Sequence, residues 1–320
     1  MKIQKKYFEK LNSMPAPGDG CHPALLGAAN LGLMVGIPPE IIFADIRASI
    51  PYGKRNVSDN EIHDAINRAI IDNVALPNSQ QYRRCVKPKA IIKDGVSALR
   101  RIIDQAKIYE EADLWEMSPI KIDWPPEEDT VHFLEAMFEP DDSLFLGERL
   151  ESGIVGRNIR TSKDWVLYFQ SGGNTAPFII VNPLTGEAAL KKKGEGVTYR
   201  GDGNIKLFRY CLVEFDNLTR EEQIRFWSAA RLPVACLIDS GGKSIHAWID
   251  VQKRAKVETL EQWHAVIKMH LYDSLLAPLG TDKACSNPAR LSRLPGHYRA
   301  EKENYQRILW LSGREGRFIG

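Results

Sequence analysis

The sequence has few of the features that would place a 320-residue chain outside the cell or in a membrane. Its five cysteines, Cys21, Cys85, Cys211, Cys236 and Cys285, form no C-x-x-C pair, which argues against a disulfide framework and against a standard zinc motif. Most of them are expected at reduced core or helix positions. No apolar run reaches membrane-spanning length, and the basic stretch MKIQKKYFEKLNSMPAPGDG lacks the continuous apolar segment of a secretion signal. A cytoplasmic protein with no membrane partner is the expectation. Charge of neither sign prevails: Lys+Arg 43 stand against Asp+Glu 41, for a net charge of +2. Bulk electrostatics therefore require no polyanionic partner, and any surface for one must be a local patch. The chain has no G-x-x-x-x-G-K-[ST] stretch, no internal repeat and no low-complexity segment.

What is present divides by texture. From PALLGAANLGLMVGIPPEIIFADIRASI through SDNEIHDAINRAIIDN, apolar residues recur at three- and four-residue spacing, punctuated by Pro38-Pro39 and Ser58-Asp59-Asn60. This predicts a small all-helical domain over residues 1–95. A further helical stretch, GVSALRRIIDQAKIYEEADLWEM, runs into SPIKIDWPPEED, and residues 96–128 read as a helical linker. After Asp129 the runs turn short and β-rich: DSLFLG, DWVLYFQ, PFIIVNP, KLFRYCLVEFD, VACLIDS and SIHAWIDV. Two helices, TREEQIRFWSAARL and VETLEQWHAVIKMHLYDSLLAPL, interrupt them. The order predicts an α+β domain over 129–320, built around a small sheet.

Three stretches carry the chemistry. In FRYCLVEFDNL, Glu214 and Asp216 flank one phenylalanine at the end of an apolar run, and period-2 geometry would put both carboxylates on one face. Paired carboxylates repel unless a cation neutralises them, and hard oxygen ligands suit Mg²⁺ or Mn²⁺. A solvated strand end is the alternative. In DSGGKSIHAWIDV, Lys243, Ser244 and His246 follow a Gly-Gly turn; a lysine, a hydroxyl and an imidazole beside a metal site can hold an anionic group such as a triphosphate. A hydrogen-bonded histidine at a strand start is the plainer reading of His246. In LGTDKACSNPARLSRLPGHYR, Asp282 precedes Asn287, Arg290, Arg293 and Arg299, which suggests phosphate recognition. For Arg299 a surface salt bridge serves equally well.

The order E-x-D, S-x-H, then a lone Asp followed by N-x-x-R-x-x-R resembles the archaeo-eukaryotic primase superfamily, specifically the primase-polymerases of phages, plasmids and mobile elements. The resemblance covers about residues 129–312. It implies an RRM-like mixed sheet as the catalytic core, with Glu214, Asp216 and Asp282 as catalytic residues holding two divalent metals, Mg²⁺ or Mn²⁺. It places Lys243, Ser244 and His246 at the phosphates of the incoming nucleotide, and Asn287, Arg290 and Arg293 at the phosphates or sugar. The first motif reads Glu-Phe-Asp where many relatives begin with Asp, and no zinc module is visible, so no zinc is expected. The helical segment is similar to an accessory domain that usually follows the catalytic domain in such primases; here it comes first.

The implied activity is that of a DNA primase and DNA-directed polymerase. It would make primers on a single-stranded DNA template from NTP or dNTP and could extend them, and any helicase would be a separate protein. Two rivals use the same residues: a metal-dependent nuclease or phosphohydrolase, and a non-catalytic single-strand binder with Trp248 and Tyr298 as stacking candidates.

Overall fold

The computed structural model describes residues 2–17, 21–74, 94–107, 110–191 and 196–320. It divides into two compact units, Met1–Arg84 and Cys85–Gly320. The smaller unit contains the helices α1 (Lys2–Asn12), α2 (Cys21–Met34), α3 (Pro39–Ser49) and α4 (Asp59–Val74). Pro38 and Pro39 open α3, where the missing N–H is harmless. Its core gathers Tyr7, Leu25, Ala29, Ile42, Ile46 and Ile62, and the Tyr7 hydroxyl donates to Asp45 Oδ2 at 2.8 Å. The stretch 75–93, which ends the expected helical domain and contains Cys85, lies outside the described residues.

The larger unit opens with α5 (Gly95–Asp104), α6 (Glu111–Met117) and α7 (Asp129–Met137). The described residues of 96–128, expected from sequence as a helical linker, hydrogen-bond to this unit: Trp115 Nε1 donates to Ile308 O at 3.1 Å and Ser118 Oγ accepts from Leu311 N at 2.9 Å. The chain continues through β1 (Ser143–Gly147), β2 (Ile159–Thr161), α8 (Ser162–Gln170), β3 (Phe178–Ile180), β4 (Ala189–Leu190), β5 (Val197–Thr198) and β6 (Tyr210–Val213). Then come α9 (Arg220–Ala229), β7 (Val234–Asp239), β8 (Ile245–Asp250), a helix over Leu260–Gln262 that runs on through Trp263–Leu276, β9 (Leu291–Arg293), β10 (Tyr298–Arg299), β11 (Asn304–Tyr305) and β12 (Arg307–Leu311). The architecture is α+β, with two four-stranded sheets ordered β12-β7-β8-β6 and β2-β1-β3-β9.

Two expectations are corrected. DWVLYFQ, expected as a strand, is α8: Thr161 Oγ1 caps it by accepting Asp164 N at 3.1 Å, and Trp165 stacks on Phe169 one turn later. The cap and the i,i+4 aromatic pair outweigh the β preference of its aromatics. The expected mixed sheet is antiparallel in every ladder of the described strands. β6 and β7 run in the same direction around α9, but the β7–β8 hairpin inserts β8 between them, so the two parallel strands never pair. All six residues of β7 and of β8 are buried, which explains their continuous apolar reading. Among the described residues no helix is long and apolar enough to cross a membrane.

Candidate active site

The end of β6 and the start of β8 bring the chemistry together, because the register sets Val213 opposite Ala247. The next residue, Glu214, thus faces His246, and Glu214 Oε2 lies 3.0 Å from His246 Nε2. The other ring nitrogen, Nδ1, accepts the Arg293 backbone N–H at 3.2 Å and sits 3.0 Å from Ser292 Oγ. A nitrogen that accepts from a backbone amide carries no proton, so the proton resides on Nε2 and points at Glu214. The Asp282 backbone N–H donates to Glu214 O at 3.0 Å, which docks the third segment onto the first. Asp282 Oδ1 then caps the following turn by accepting Ala284 N at 2.9 Å.

Glu214, Asp282 and Cys285 each offer a ligand atom, and these atoms lie within 4.8 Å of one another. Cys285 Sγ donates to Glu214 Oε1 at 3.2 Å, and Arg290 Nη2 is 3.4 Å from Asp282 Oδ2. Burial raises the Glu214 carboxyl, but the His246 and Cys285 hydrogen bonds and the Arg290 charge outweigh it and hold the group down at about 2. Burial, and next the Glu214 charge, push the Cys285 thiol well above its usual range, so the thiol keeps its proton. The two carboxylates suit a divalent cation that prefers oxygen, with the protonated thiol standing beside them.

Asp216 is not in this group. The β6 ladder ends at Val213, Phe215 is buried and Asp216 is exposed, with its backbone carbonyl accepting from Lys243 Nζ at 2.8 Å. The same-face argument required extended pairing through residue 216, and the chain leaves the sheet before that point.

Beside the carboxylates opens a cavity of about 860 Å³. Lys243, Ser244, His246, Asn287, Arg290 and Arg293 all line it, together with Glu214. Sequence reasoning missed Arg149, Arg220 and Lys302, and left Arg299 undecided; all four line it as well. Among the described residues, seven cationic side chains therefore face one carboxylate, Glu214. The turn between β7 and β8 is pinned from α9 by Gln223, whose side chain donates to Lys243 O at 3.2 Å and accepts Ile245 N at 2.8 Å. Arg293 crosses from β9 to lie over the Phe178 ring at 4.5 Å, and Asn287 Nδ2 is held by Asp202 Oδ1 at 3.0 Å.

Part of the chain is similar to a solved phage structure. The AEP domain of the cyanophage S-2L primase-polymerase is 18% identical over 59% of this chain and 96% of that one, with a TM-score of 0.34. No protein-family model and no curated protein matches the chain.

The stacking candidates divide. Trp248 is fully buried and donates from Nε1 to Ser292 Oγ at 2.9 Å, a core role. Tyr298 is half exposed and packs edge-on against Tyr305 at 5.0 Å. Sequence reasoning did not single out Cys285 from the other scattered cysteines; its place three residues after Asp282, within one tight turn, is the available signal.

The Glu214–His246 contact makes a direct test possible. In a carboxyl ¹³C NMR titration of metal-free protein, Glu214 should titrate near about 2. His246→Ala should move that midpoint upward, since it removes the largest of the lowering contacts. Because the folded value is depressed, the stabilisation is fully present above the ordinary carboxylate range and fades as pH falls toward about 2. An unmoved midpoint in H246A would remove His246 as the partner of Glu214.

Proposed function

We propose that the larger unit is a template-directed nucleotidyltransferase of the archaeo-eukaryotic primase type, making primers on single-stranded DNA. One observation carries the reading: a cavity lined by seven cationic side chains adjoins the Glu214, Asp282 and Cys285 group. A nuclease needs water there, whereas this excess of positive charge suits the three phosphates of a nucleotide. In this reading the sheet β12-β7-β8-β6 is the RRM-like core, residues 129–320 are catalytic, α5 and α6 buttress them, and residues 1–95 are an accessory domain.

Glu214 and Asp282 would hold a divalent cation, which supplies Lewis-acid polarisation of a phosphoryl oxygen when bound, with the Cys285 thiol beside them. Lys243, Arg290 and Arg293 bind the phosphates, and Ser244 and Asn287 add neutral hydrogen bonds. His246 holds Glu214 ionised and aimed. A second cation would draw on Asp216, which is exposed next to Lys243.

Incubating the full chain with primed and unprimed single-stranded template, labelled nucleotide and Mg²⁺ or Mn²⁺ tests the proposal. Products longer than the input are expected. Shortened template would assign a nuclease, and a mobility shift without product would assign a binder. Within this assay Asp282→Asn should lose at least tenfold more activity than Asp216→Asn, because Asp282 shares the ligand group with Glu214 and Asp216 does not. Equal losses would place Asp216 in the site on the same footing.

A further inference from the structure

We infer that Asp239 is the positioning residue for the phosphate end of this cavity and that it acts through Arg220, an inference that rests on the nucleotide reading above. Asp239 is the last residue of β7, and its side chain is 5% exposed. A carboxylate buried that deeply must be fully partnered to persist. Its Oδ2 accepts from Arg220 Nη2 at 2.9 Å, and its Oδ1 accepts the Gly241 N–H at 3.0 Å.

Arg220 is a wall of the site, and Gly241 sits between two residues that are, Ser240 and Gly242. Arg220 opens α9, where the reciprocal Thr219–Glu222 cap fixes the backbone, and its guanidinium lines the cavity. Gly241 has φ +67, a conformation that favours glycine, and an added Cβ would meet Tyr305 O at 3.0 Å. The next two residues, Gly242 and Lys243, line the cavity, and Arg299 Nη1 closes the turn from the other side by donating to Ser240 O at 2.9 Å. One buried carboxylate thus sets the guanidinium and the turn together.

The sign of the effect has two competing parts. A carboxylate near a phosphate repels it, but the Asp239 charge is matched by Arg220, whose guanidinium lines the cavity. An unheld arginine loses side-chain freedom when it orders on a ligand. Holding it beforehand removes part of that loss. Glu111 of α6 also contacts Arg220, at Nε, but it is one-third exposed and its contribution is correspondingly screened. Asp239 is the buried anchor.

The experiment uses the full chain, with inorganic tripolyphosphate as the calorimetric probe and nucleotide KM and kcat as the second readout. Asp239→Asn keeps the shape but leaves one oxygen for two donors, so tripolyphosphate Kd and nucleotide KM should both rise about tenfold, a difference of about 1.4 kcal/mol. The kcat at saturation should stay within about twofold, whereas mere loss of folded protein would lower kcat and leave KM alone. Arg220→Lys keeps the charge and loses the fork. Arg220 is partly exposed, so this variant should fold, and it should raise Kd by a similar factor. The double variant should be less than about twofold worse than either single one, since both act on one contact. Unchanged or tighter binding by D239N, wild-type binding by R220K, or losses that multiply in the double variant would each overturn the role of Asp239. Wild-type protein that binds no tripolyphosphate would overturn the nucleotide reading, and this inference with it.

Discussion

Glu214→Gln should lower template-directed incorporation by on the order of 10³-fold, the upper end for losing one preorganised charge contact at a reacting phosphate, while the protein stays folded. The side chain keeps its size, so the comparison isolates charge. In the native site the carboxylate remains ionised in spite of burial because His246 and Cys285 both donate to it and Arg290 stands nearby. Glutamine can still accept from His246 Nε2, and its amide can face the Cys285 sulfur as a weak acceptor, so stability should fall by no more than about 1–2 kcal/mol. The cation, by contrast, loses a charged oxygen ligand that no neighbour replaces, since Asp282 and Cys285 are already the other members of the group. Incorporation rates and melting temperatures on one preparation check both halves. A folded E214Q protein that retains a tenth of wild-type activity would remove Glu214 from the metal role.

Asp129→Ala should have the largest effect on stability, about 3–5 kcal/mol, the range for breaking a buried ion pair from one side. Asp129 is wholly buried at the start of α7 and accepts three hydrogen bonds: Trp124 Nε1 at 2.8 Å, Arg307 Nε at 3.0 Å and the Ile308 backbone N–H at 2.9 Å. Alanine leaves all three donors without an acceptor. The damage falls on β12, the edge strand against β7, and so on the sheet that carries Asp239 and the Gly-Gly turn. For a unit of this size the melting temperature should drop on the order of 10 °C. Asp129→Asn, which keeps one acceptor oxygen, should recover part of the loss. A melting temperature within about 2 °C of wild type in D129A would show that the three donors find other partners.

The local pattern is enough to locate the central strands β7 and β8. VACLIDS and SIHAWIDV are continuous apolar runs because β7 and β8 are covered on both faces, and the Gly-Gly between them marks a tight turn with positive φ at Gly241. TREEQIRFWSAARL was legible as a helix too, and its Thr219–Glu222 cap is local chemistry between residues three apart. RILWL of β12 went unread as a strand, since its role is set by the strand it pairs with and by Asp129 at a separation of 179 residues. The site shows the same division. Lys243, Ser244 and His246 lie within four residues of each other, and a pattern can single them out. That Cys285 joins Glu214 and Asp282, that Asp216 stands outside the group, and that Arg149, Arg220, Arg299 and Lys302 converge on one cavity were decided only in the tertiary structure. The reason is physical: strand termini and hydrogen bonds such as Asp282 N to Glu214 O fix which side chains meet, and those contacts join residues tens of positions apart that no local period relates.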